Sequence, residues 1–355
     1  MTRAMLSLAV TLWACGQAAE EPRLQAQGGP AVPVEPMTTE VVPSGDEEEA
    51  VAPSPIPADV ARILALDAGS STSEGNPNYG ELSGAVGMPD QGPGFIFNPR
   101  RPSGARFGTV ELVQALLGSA SRVAEQHPGA VLWVNDLSLV NGGAIPQHQS
   151  HQNGRDVDVL FFFREVETGE IYPPVGAIVD PEGLGVDFRD LADPADDVHL
   201  RLDVARSWSF VEAFLEQPEV QVSRIFLAEH IRALLLTEAA RVQSRAETIE
   251  LFENVTCQPG SPHDDHFHIR VFCSPDDIAA GCEDTAPLYP WHVEYLAARG
   301  QEAVVTRRRR PRVRTTSRPA ARRQAGTLHA EVERWLERRE EWAGRRPRTG
   351  RRFCR

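Results

Sequence analysis

The sequence predicts an α+β fold with a small, mainly antiparallel sheet and flanking helices. Segments with helical spacing and segments with strand alternation both occur, but without the regular β–α–β period of a parallel sheet. Residues 156–159 and 266–272 alternate polar and apolar side chains, as antiparallel strands with one buried face do. No internal repeat is evident, which argues against a solenoid or a propeller.

The first predicted elements lie between residues 108 and 163. In GTVELVQALLGSASRVAEQ (108–126), apolar residues recur at helical spacing after Thr109, which is placed to cap the helix. AVLWVNDLS (130–138) predicts a strand. DVDVLFFF (156–163) alternates first and then becomes continuously apolar, which indicates a strand that is covered on both faces at its end.

Four further elements complete the predicted domain. DVARSWSFVEAFLEQP (203–218) is an amphipathic helix that ends before Pro218. VQVSRIFL (220–227) predicts a strand, and AEHIRALLLTEAARV (228–242) predicts another helix. HFHIRVF (266–272) alternates cleanly and predicts the last strand.

Residues 1–19 have the features of an export signal. Arg3 supplies a positive charge, and AMLSLAVTLWA supplies an apolar run of about eleven residues, too short to span a bilayer as a helix. LWAC resembles a bacterial lipobox in which Cys15 would receive lipid. Cleavage after Ala19 is the alternative, and it would remove Cys15. Export by either route permits disulfides, and four cysteines remain, of which Cys273 and Cys282 are closest in sequence although pairing cannot be deduced from spacing.

Residues 20–70 predict a disordered linker. The segment is acidic and rich in proline, with GDEEEA and APSPIPA and almost no aromatic residues. Such a composition cannot bury enough apolar surface to offset the entropy of ordering. If Cys15 is lipidated, this linker would join an outer-membrane lipid anchor to the folded domain.

Charge is distributed unevenly along the chain. The formal net charge is −14, no lysine occurs, and half of the arginines lie beyond residue 300. The Arg-rich tail at 301–355 includes LHAEVERWLERREEW, in which the apolar residues follow one stripe of an amphipathic helix. The tail is therefore either a solvated segment with one docked helix or an arm that binds lipid phosphates or wall carboxylates. The export signal argues against a nucleic-acid partner.

Two short windows contain five of the ten histidines. HDDHFH (263–268) leads into the last predicted strand, on which His266, His268 and Arg270 share one face, with the two histidines about 6.6 Å apart. That separation favours one metal ligand beside one acid–base group. His263 lies in the loop just before them.

The other window, HQSHQNGRDVD (148–158), brings a histidine and a carboxylate together. Gly154 marks a tight turn between His151 and the strand that holds Asp158. Together with His268, these residues form a set of two histidines and one carboxylate. This set suits Zn²⁺ with an open fourth position, so we expect a catalytic zinc site in a cleft on the sheet.

The remaining histidines have a simpler interpretation. Isolated histidines usually cap a helix, form a hydrogen bond or lie on the surface. This interpretation is preferred for four of them: His127, His230, His292 and His329. The stretch DDVH (196–199) is either an accessory metal-binding pair or, preferably, a surface loop.

SHQNGRDVD followed by HDDHFH resembles the penicillin-insensitive murein endopeptidases, within the lysostaphin/D-Ala-D-Ala metallopeptidase group. The shared pattern is a histidine, six residues, an aspartate and a later His-x-His, with further matches at His148 and at His263. The resemblance covers roughly residues 80–285, and we assign residues 71–300 to a metallopeptidase domain. The pair Asp264–Asp265 between the histidines departs from the pattern and would raise the basicity of His263 or His266.

The resemblance also implies roles. His151, Asp158 and His268 would bind zinc, with His148 as a further candidate ligand, while Asp156 stays without a defined role. His266 would be the general base, and His263 a second catalytic or oxyanion-stabilising histidine.

The implied reaction is hydrolysis of D-alanyl–meso-diaminopimelyl cross-links in periplasmic peptidoglycan. It would be insensitive to β-lactams, since no serine nucleophile of the SxxK type is available. The alternatives are a D-Ala-D-Ala carboxypeptidase or another wall-peptide metallopeptidase, and a non-catalytic zinc-containing wall-binding protein. The sequence does not indicate an oligomeric state.

Overall fold

The computed structural model describes residues 56–101, 103–146, 148–260, 263–306 and 318–343, together with Cys354. The predicted export signal and most of the predicted linker lie outside the described residues. Nine α-helices occur within them: α1 (Ala58–Leu64), α2 (Val110–Gln126), α3 (Val204–Leu215), α4 (Glu229–Arg241), α5 (Ala246–Val255), α6 (Pro275–Ala280), α7 (Pro290–Ala297), α8 (Arg318–Gln324) and α9 (Ala330–Ala343).

Fifteen strands accompany these helices in the described part of the chain. They are β1 (Thr72–Asn76), β2 (Tyr79–Ser83), β3 (Val86–Gly87), β4 (Gln91–Gly92), β5 (Phe95–Phe97), β6 (Phe107–Gly108), β7 (Leu132–Val134), β8 (Asp156–Leu160), β9 (Phe163–Glu165), β10 (Ile171–Tyr172), β11 (Leu184–Asp187), β12 (Val198–Leu202), β13 (Val222–Phe226), β14 (Thr256–Cys257) and β15 (His266–Val271).

The principal sheet has the order β14-β13-β15-β8-β7-β5-β4. Its pairings are antiparallel except for β13 with β14 and β5 with β7. The α+β class and the mainly antiparallel arrangement are therefore confirmed. The sheet has more strands than expected. Strands β4, β5 and β14 were not predicted, because two or three residues are too few to show an alternating pattern.

One face of the principal sheet forms the core. Val157 and Val159 on β8 lie in the same buried cluster as Phe267 and Ile269 on β15, together with apolar side chains of α2 and α3. Strand alternation directs the polar residues of both strands to the opposite face. The helix α2 begins after Thr109 as predicted, and α3 ends at Leu215, shortly before the proline.

The phenylalanine run does not continue β8. That strand ends at Leu160, and β9 begins at Phe163 in a second, four-stranded antiparallel sheet of order β10-β9-β12-β11. All three phenylalanine side chains are at most 2 % exposed. Burial on both sides was thus predicted correctly, but the change of sheet was not visible in the hydrophobic pattern.

Both ends of the described chain pack on the domain. Helix α1 lies within the 20–70 span assigned to the linker, yet Val60 and Ile63 are buried in the main core. Helix α9 forms where the amphipathic stripe predicts it, and its Trp335 and Trp342 pack on Ile178 and Val186. Within the described residues, none of the helices has the length and hydropathy needed to cross a membrane.

Two disulfides lie in the described part of the chain. Cys273 is bonded to Cys282, the pair closest in sequence, and Cys257 is bonded to Cys354 near the C-terminus. The second bond attaches the end of the chain to β14, at the edge of the principal sheet.

Candidate metal centre

The register between β8 and β15 builds the candidate site. His268 lies directly opposite Asp158, and Arg270 lies directly opposite Asp156, on the sheet face away from the core. Directly opposed residues in an antiparallel pair have Cβ atoms about 4.5–5.5 Å apart. Two segments more than a hundred residues apart in sequence therefore meet at one point.

His151 is fixed by its backbone as well as by its ring. Its φ of 66° lies in the left-handed region, just before Gly154 at φ 77°. Its backbone N–H donates to Asp156 Oδ2 over 3.1 Å, and its Nδ1 lies 2.8 Å from the Leu137 carbonyl oxygen. Because Nδ1 must donate to that carbonyl, Nε2 keeps a free lone pair and faces the site.

Asp158 Oδ1 is the centre of the cluster. It lies 3.4 Å from His151 Nε2 and 3.5 Å from His268 Nδ1. Both Asp158 Oδ1 and His151 Nε2 are buried and have no hydrogen-bond partner in the described structure. Ligand atoms about 2.1 Å from a tetrahedral zinc ion stand about 3.4 Å from one another. The spacing is too long for hydrogen bonds but fits a shared metal ion.

The electrostatics of the cluster also suit a cation. Burial raises the pKa of Asp158, but the neighbouring histidines outweigh burial and hold that pKa well below its usual range. Burial lowers the pKa of His268 to about 4. For His151, burial lowers the pKa, but the Asp158 carboxylate outweighs it and the net direction is upward. A divalent cation between His151 and Asp158 would be attracted by the same carboxylate that raises the pKa of this imidazole.

His148 lies at the rim of the same cluster. Its ring centroid is 4.5 Å from that of His151, and its Nδ1 is 3.7 Å from Asp158 Oδ2. Its Nε2 is held by Asp136 Oδ2 over 2.8 Å, and Arg101 also pairs with that carboxylate. Nδ1 is therefore the atom that His148 could offer to a metal.

Asp156 serves as a support and not as a free carboxylate. Arg270 donates two hydrogen bonds to it, of 2.6 Å and 2.9 Å, and both side chains are buried. Asp156 Oδ2 also lies 3.4 Å from His268 Nε2. Asp156 thus connects Arg270 to the backbone of His151, and it lies beside the ring of His268 without a hydrogen bond to it.

Two groups of described residues have ligand atoms close enough to hold one ion. Within each group these atoms lie within 4.8 Å of one another; the groups are His148, His151 and Asp158, and His151, Asp156 and His268. Asp156 belongs to the second group by distance alone, because Arg270 occupies both of its oxygens. Neither group contains the predicted set of His151, Asp158 and His268 as a whole. The group of His148, His151 and Asp158 has the donor types of a catalytic metal site.

His266 is the more exposed histidine of the last strand. Its side chain is 16 % exposed, its Nδ1 lies 2.7 Å from Asp265 Oδ1, and its Nε2 lies 3.5 Å from Asp158 Oδ1. Burial lowers the pKa of His266, but the carboxylates of Asp265 and Asp158 outweigh burial and hold the pKa well above its usual value. The expectation that an extra carboxylate raises the basicity of His266 agrees with this arrangement.

His263 stands beside these rings. Its ring centroid is 5.0 Å from that of His266 and 5.3 Å from that of His268. Its φ of 51° is unusual for a residue other than glycine, and such strain is common where a side chain is held for function. Phe226, on the neighbouring β13, packs against His268 at 4.8 Å between centroids.

Other predicted candidates lie away from this centre. His230, His292 and His329 contact a carbonyl oxygen, a glutamine and an aspartate, as expected of structural histidines. His199 is exposed on β12, and its stretch DDVH contributes to neither metal-binding group of the described residues.

Sequence reasoning missed Asp136, which lies within the predicted strand 130–138, just after β7 ends at Val134, and which holds His148. Its position directly after a buried strand was the available signal. Arg270 had been placed on the histidine face by alternation, but without a role. Asp264 had been grouped with Asp265, and its side chain points elsewhere, toward α9.

The site combines buried imidazoles and a buried carboxylate with a more accessible histidine, which a second carboxylate orients. On an α+β fold, this arrangement is typical of a metal-dependent hydrolase. The sequence profile of penicillin-insensitive murein endopeptidases matches residues 73–320, and the chain belongs to this family. The matched region includes both histidine windows and ends before α9.

Individual relatives agree with the profile. The penicillin-insensitive murein endopeptidase of Haemophilus influenzae is 27 % identical over 235 residues, which cover 64 % of this chain and 72 % of that protein. The protein of the same name from Klebsiella pneumoniae is 27 % identical over 228 residues, covering 62 % and 73 %. The one from Escherichia coli K12 is 26 % identical over 223 residues, covering 62 % and 73 %.

Proposed function

We propose that this metallo-type murein endopeptidase is a zinc enzyme that hydrolyses D-alanyl–meso-diaminopimelyl cross-links between peptidoglycan strands. The observation that supports this most is the spacing around Asp158 Oδ1, which has no hydrogen-bond partner and lies 3.4 Å from His151 Nε2 and 3.5 Å from both His268 Nδ1 and His266 Nε2. The family supports murein as the substrate.

In this proposal, His151 Nε2, Asp158 Oδ1 and His268 Nδ1 hold the ion, and His148 Nδ1 is a further ligand candidate. The chemistry that zinc supplies when bound is the activation of water and the polarisation of the carbonyl under attack. Asp156 and Asp136 act behind the ligands, because each holds one of these histidines in a fixed orientation.

The proton moves through His266. Asp265 accepts the hydrogen bond from Nδ1, so Nε2 is the atom that faces Asp158 and can accept the proton of the attacking water. His266 then returns that proton to the leaving amine. The net reaction breaks one amide bond and leaves one carboxylate and one amine. A divalent cation held by Asp158 would oppose the rise in the pKa of His266 that this carboxylate causes, so that His266 could act as a base near neutral pH.

His263 completes the site on the side of His266. Its ring centroid lies 5.0 Å from that of His266, and its role in this proposal is to donate a hydrogen bond to the oxygen that becomes negative as the carbonyl is attacked. The site lies in the periplasm in this proposal, and Cys15 would anchor the enzyme to the outer membrane if it is lipidated.

The test is a digest of purified sacculi by the full-length protein, with and without a chelator, followed by identification of the muropeptides. Cross-linked dimers should disappear and monomers should appear, and Zn²⁺ should restore the activity that the chelator removes. His266→Ala should lower turnover by about 10²–10⁴-fold and keep its bound metal. His199→Ala, which changes an exposed histidine outside the site, is the matched control.

Each alternative gives a different product. Release of free D-alanine with intact dimers would instead indicate a carboxypeptidase, and binding without cleavage would indicate a wall-binding protein. Undiminished cleavage by His266→Ala would contradict the role of the general base. Purified protein without metal, or cleavage that a chelator leaves unchanged, would contradict the zinc proposal.

A further inference from the structure

The C-terminal helix α9 packs beside the loop that leads into β15. We call the described residues just before β15, 257–260 and 263–265, the approach loop. His263 and Asp265 belong to the loop, and His266 follows it directly. Helix α9 lies beyond residue 320, where the family match ends.

A buried ion pair joins α9 to the approach loop. Arg339 donates from Nε and Nη2 to the two carboxylate oxygens of Asp264, and the Nε1 of Trp342 donates to Oδ2 over 3.2 Å. Asp264 is 0 % exposed and Arg339 is 5 % exposed. A bidentate Arg–carboxylate pair fixes both distance and orientation.

The ion pair is not the sole contact of α9 with the protein. Helix α9 has its own apolar contact, in which Trp335 and Trp342 pack on Ile178 and Val186. The desolvation of two buried charges offsets most of their attraction, so a buried pair is weak evidence for stability. What such a pair adds over an apolar contact is a defined position for Asp264.

A second attachment holds the other end of the approach loop. Cys257 is bonded to Cys354, and the backbone N–H of Cys354 donates to the Gln258 carbonyl oxygen over 2.9 Å. The side chain of Gln258 also donates to the carbonyl oxygen of Ala343, at the end of α9. The C-terminal segment therefore contacts the loop at 257–258 and again at 264.

Asp264 stands between the two catalytic histidine positions. On one side is His263, whose left-handed backbone requires outside support. On the other side is Asp265, whose carboxylate orients His266. Because these residues are consecutive, a change in the backbone at Asp264 moves both histidines relative to Asp158.

From these contacts we infer that Arg339 is a positioning residue for the hydrolysis and that the C-terminal helix is a working part of the active site. The inference rests on the proposed function, because the groups it positions are His263 and His266. Arg339 touches neither substrate nor metal, and it acts through Asp264.

The test compares Arg339→Gln with Arg338→Gln in the full-length, zinc-loaded protein acting on a soluble cross-linked muropeptide dimer. Arg338 is the matched control, since it is the adjacent arginine, its side chain is 51 % exposed and it pairs with Asp180. Arg339→Gln should lower kcat about 10–100-fold with KM changed less than about threefold, because a displacement of about 1 Å can cost that much. Arg339→Lys should recover part of the loss, and Arg338→Gln should match the wild type.

Metal content and the folded fraction, measured on the same samples, separate positioning from stability. A loss of activity that only follows the folded fraction overturns the inference. If Arg339→Gln does not fold, the pair Asp264→Leu with Arg339→Met replaces both buried charges by apolar side chains, which proteins often tolerate. Wild-type kcat in that variant also overturns the inference.

The failure of the inference can be told from the failure of the proposed function. A wild-type protein that does not cleave the dimer contradicts the function itself. A wild type that cleaves it, with Arg339→Gln as active as Arg338→Gln, contradicts only the role of α9.

Discussion

Arg270→Met tests how the support behind the metal centre contributes to metal binding. Arg270 is 6 % exposed and donates two charged hydrogen bonds to Asp156, which is fully buried. Methionine keeps most of the apolar stem and removes the guanidinium. Asp156 then keeps the hydrogen bond from the His151 backbone over 3.1 Å, but its charge has lost its partner.

The expected loss of stability follows from these contacts. Two hydrogen bonds to charged groups are worth about 1.5–3 kcal/mol each, and breaking a buried ion pair by removing one partner costs about 3–5 kcal/mol. We therefore expect the free energy of unfolding to fall by about 3–5 kcal/mol. Metal affinity should fall by about 10–100-fold, as it does when groups that orient metal ligands are removed.

Arg224→Met is the matched control. Arg224 lies directly opposite Arg270 on β13, is buried to the same extent, and donates to the Ser223 carbonyl oxygen and the Tyr289 hydroxyl. Urea unfolding followed by circular dichroism gives the stability of each variant. Competition for Zn²⁺ with a chromogenic chelator gives the metal affinity.

Both variants should be less stable than the wild type, but only Arg270→Met should bind zinc more weakly. The reasoning is refuted if the two variants bind zinc equally tightly. It is also refuted if the free energy of unfolding of Arg270→Met lies within about 1 kcal/mol of the wild-type value, since an unpaired buried carboxylate should lower it by more than that.

Two further predictions concern titrating groups. Asp265→Asn removes the carboxylate that raises the pKa of His266. In a plot of kcat/KM against pH, the rise on the acid side should therefore move to lower pH. A rise that stays at the same pH would exclude His266 as the base. Burial raises the pKa of Glu111 from 4.5 to about 7. The folded state therefore holds this proton to higher pH than the unfolded state, and its contribution to stability decreases as pH rises from about 4.5 to 7. The side chain in Glu111→Gln is neutral at every pH. Relative to the wild type, its free energy of unfolding in urea should be higher by up to about 3 kcal/mol at pH 8 and by little at pH 4. Equal differences at both pH values would contradict this.

The elements that the sequence predicted well are those with a strong local pattern. Helices α2, α3 and α4 and strands β8, β13 and β15 lie where apolar periodicity placed them, because that periodicity reflects which face is buried. The amphipathic stripe of the tail likewise predicted α9. Short strands were missed, since two or three residues do not establish a period.

The candidate site was predictable to the extent that strand alternation determines it. Alternation alone put His266, His268 and Arg270 on one face, and the Gly154 turn indicated that His151 and Asp158 could approach each other. The pairing of the two windows was predicted from the donor types that Zn²⁺ prefers and then from the resemblance to the endopeptidase family, because no local rule says which distant segments become neighbours.

The sequence by itself therefore determined the class of fold, the residues of the two histidine windows and the face of the last strand on which its histidines lie. Only the tertiary structure decided which partner each charged group has. Asp264 and Asp265 are adjacent and chemically identical, yet one pairs with Arg339 and the other with His266. The physical reason is that strand alternation does not extend into the loop before the strand, and the partner of Asp264 lies 75 residues further along the chain. A buried ion pair of that kind is set by the packing of α9, which no local pattern around residue 264 contains.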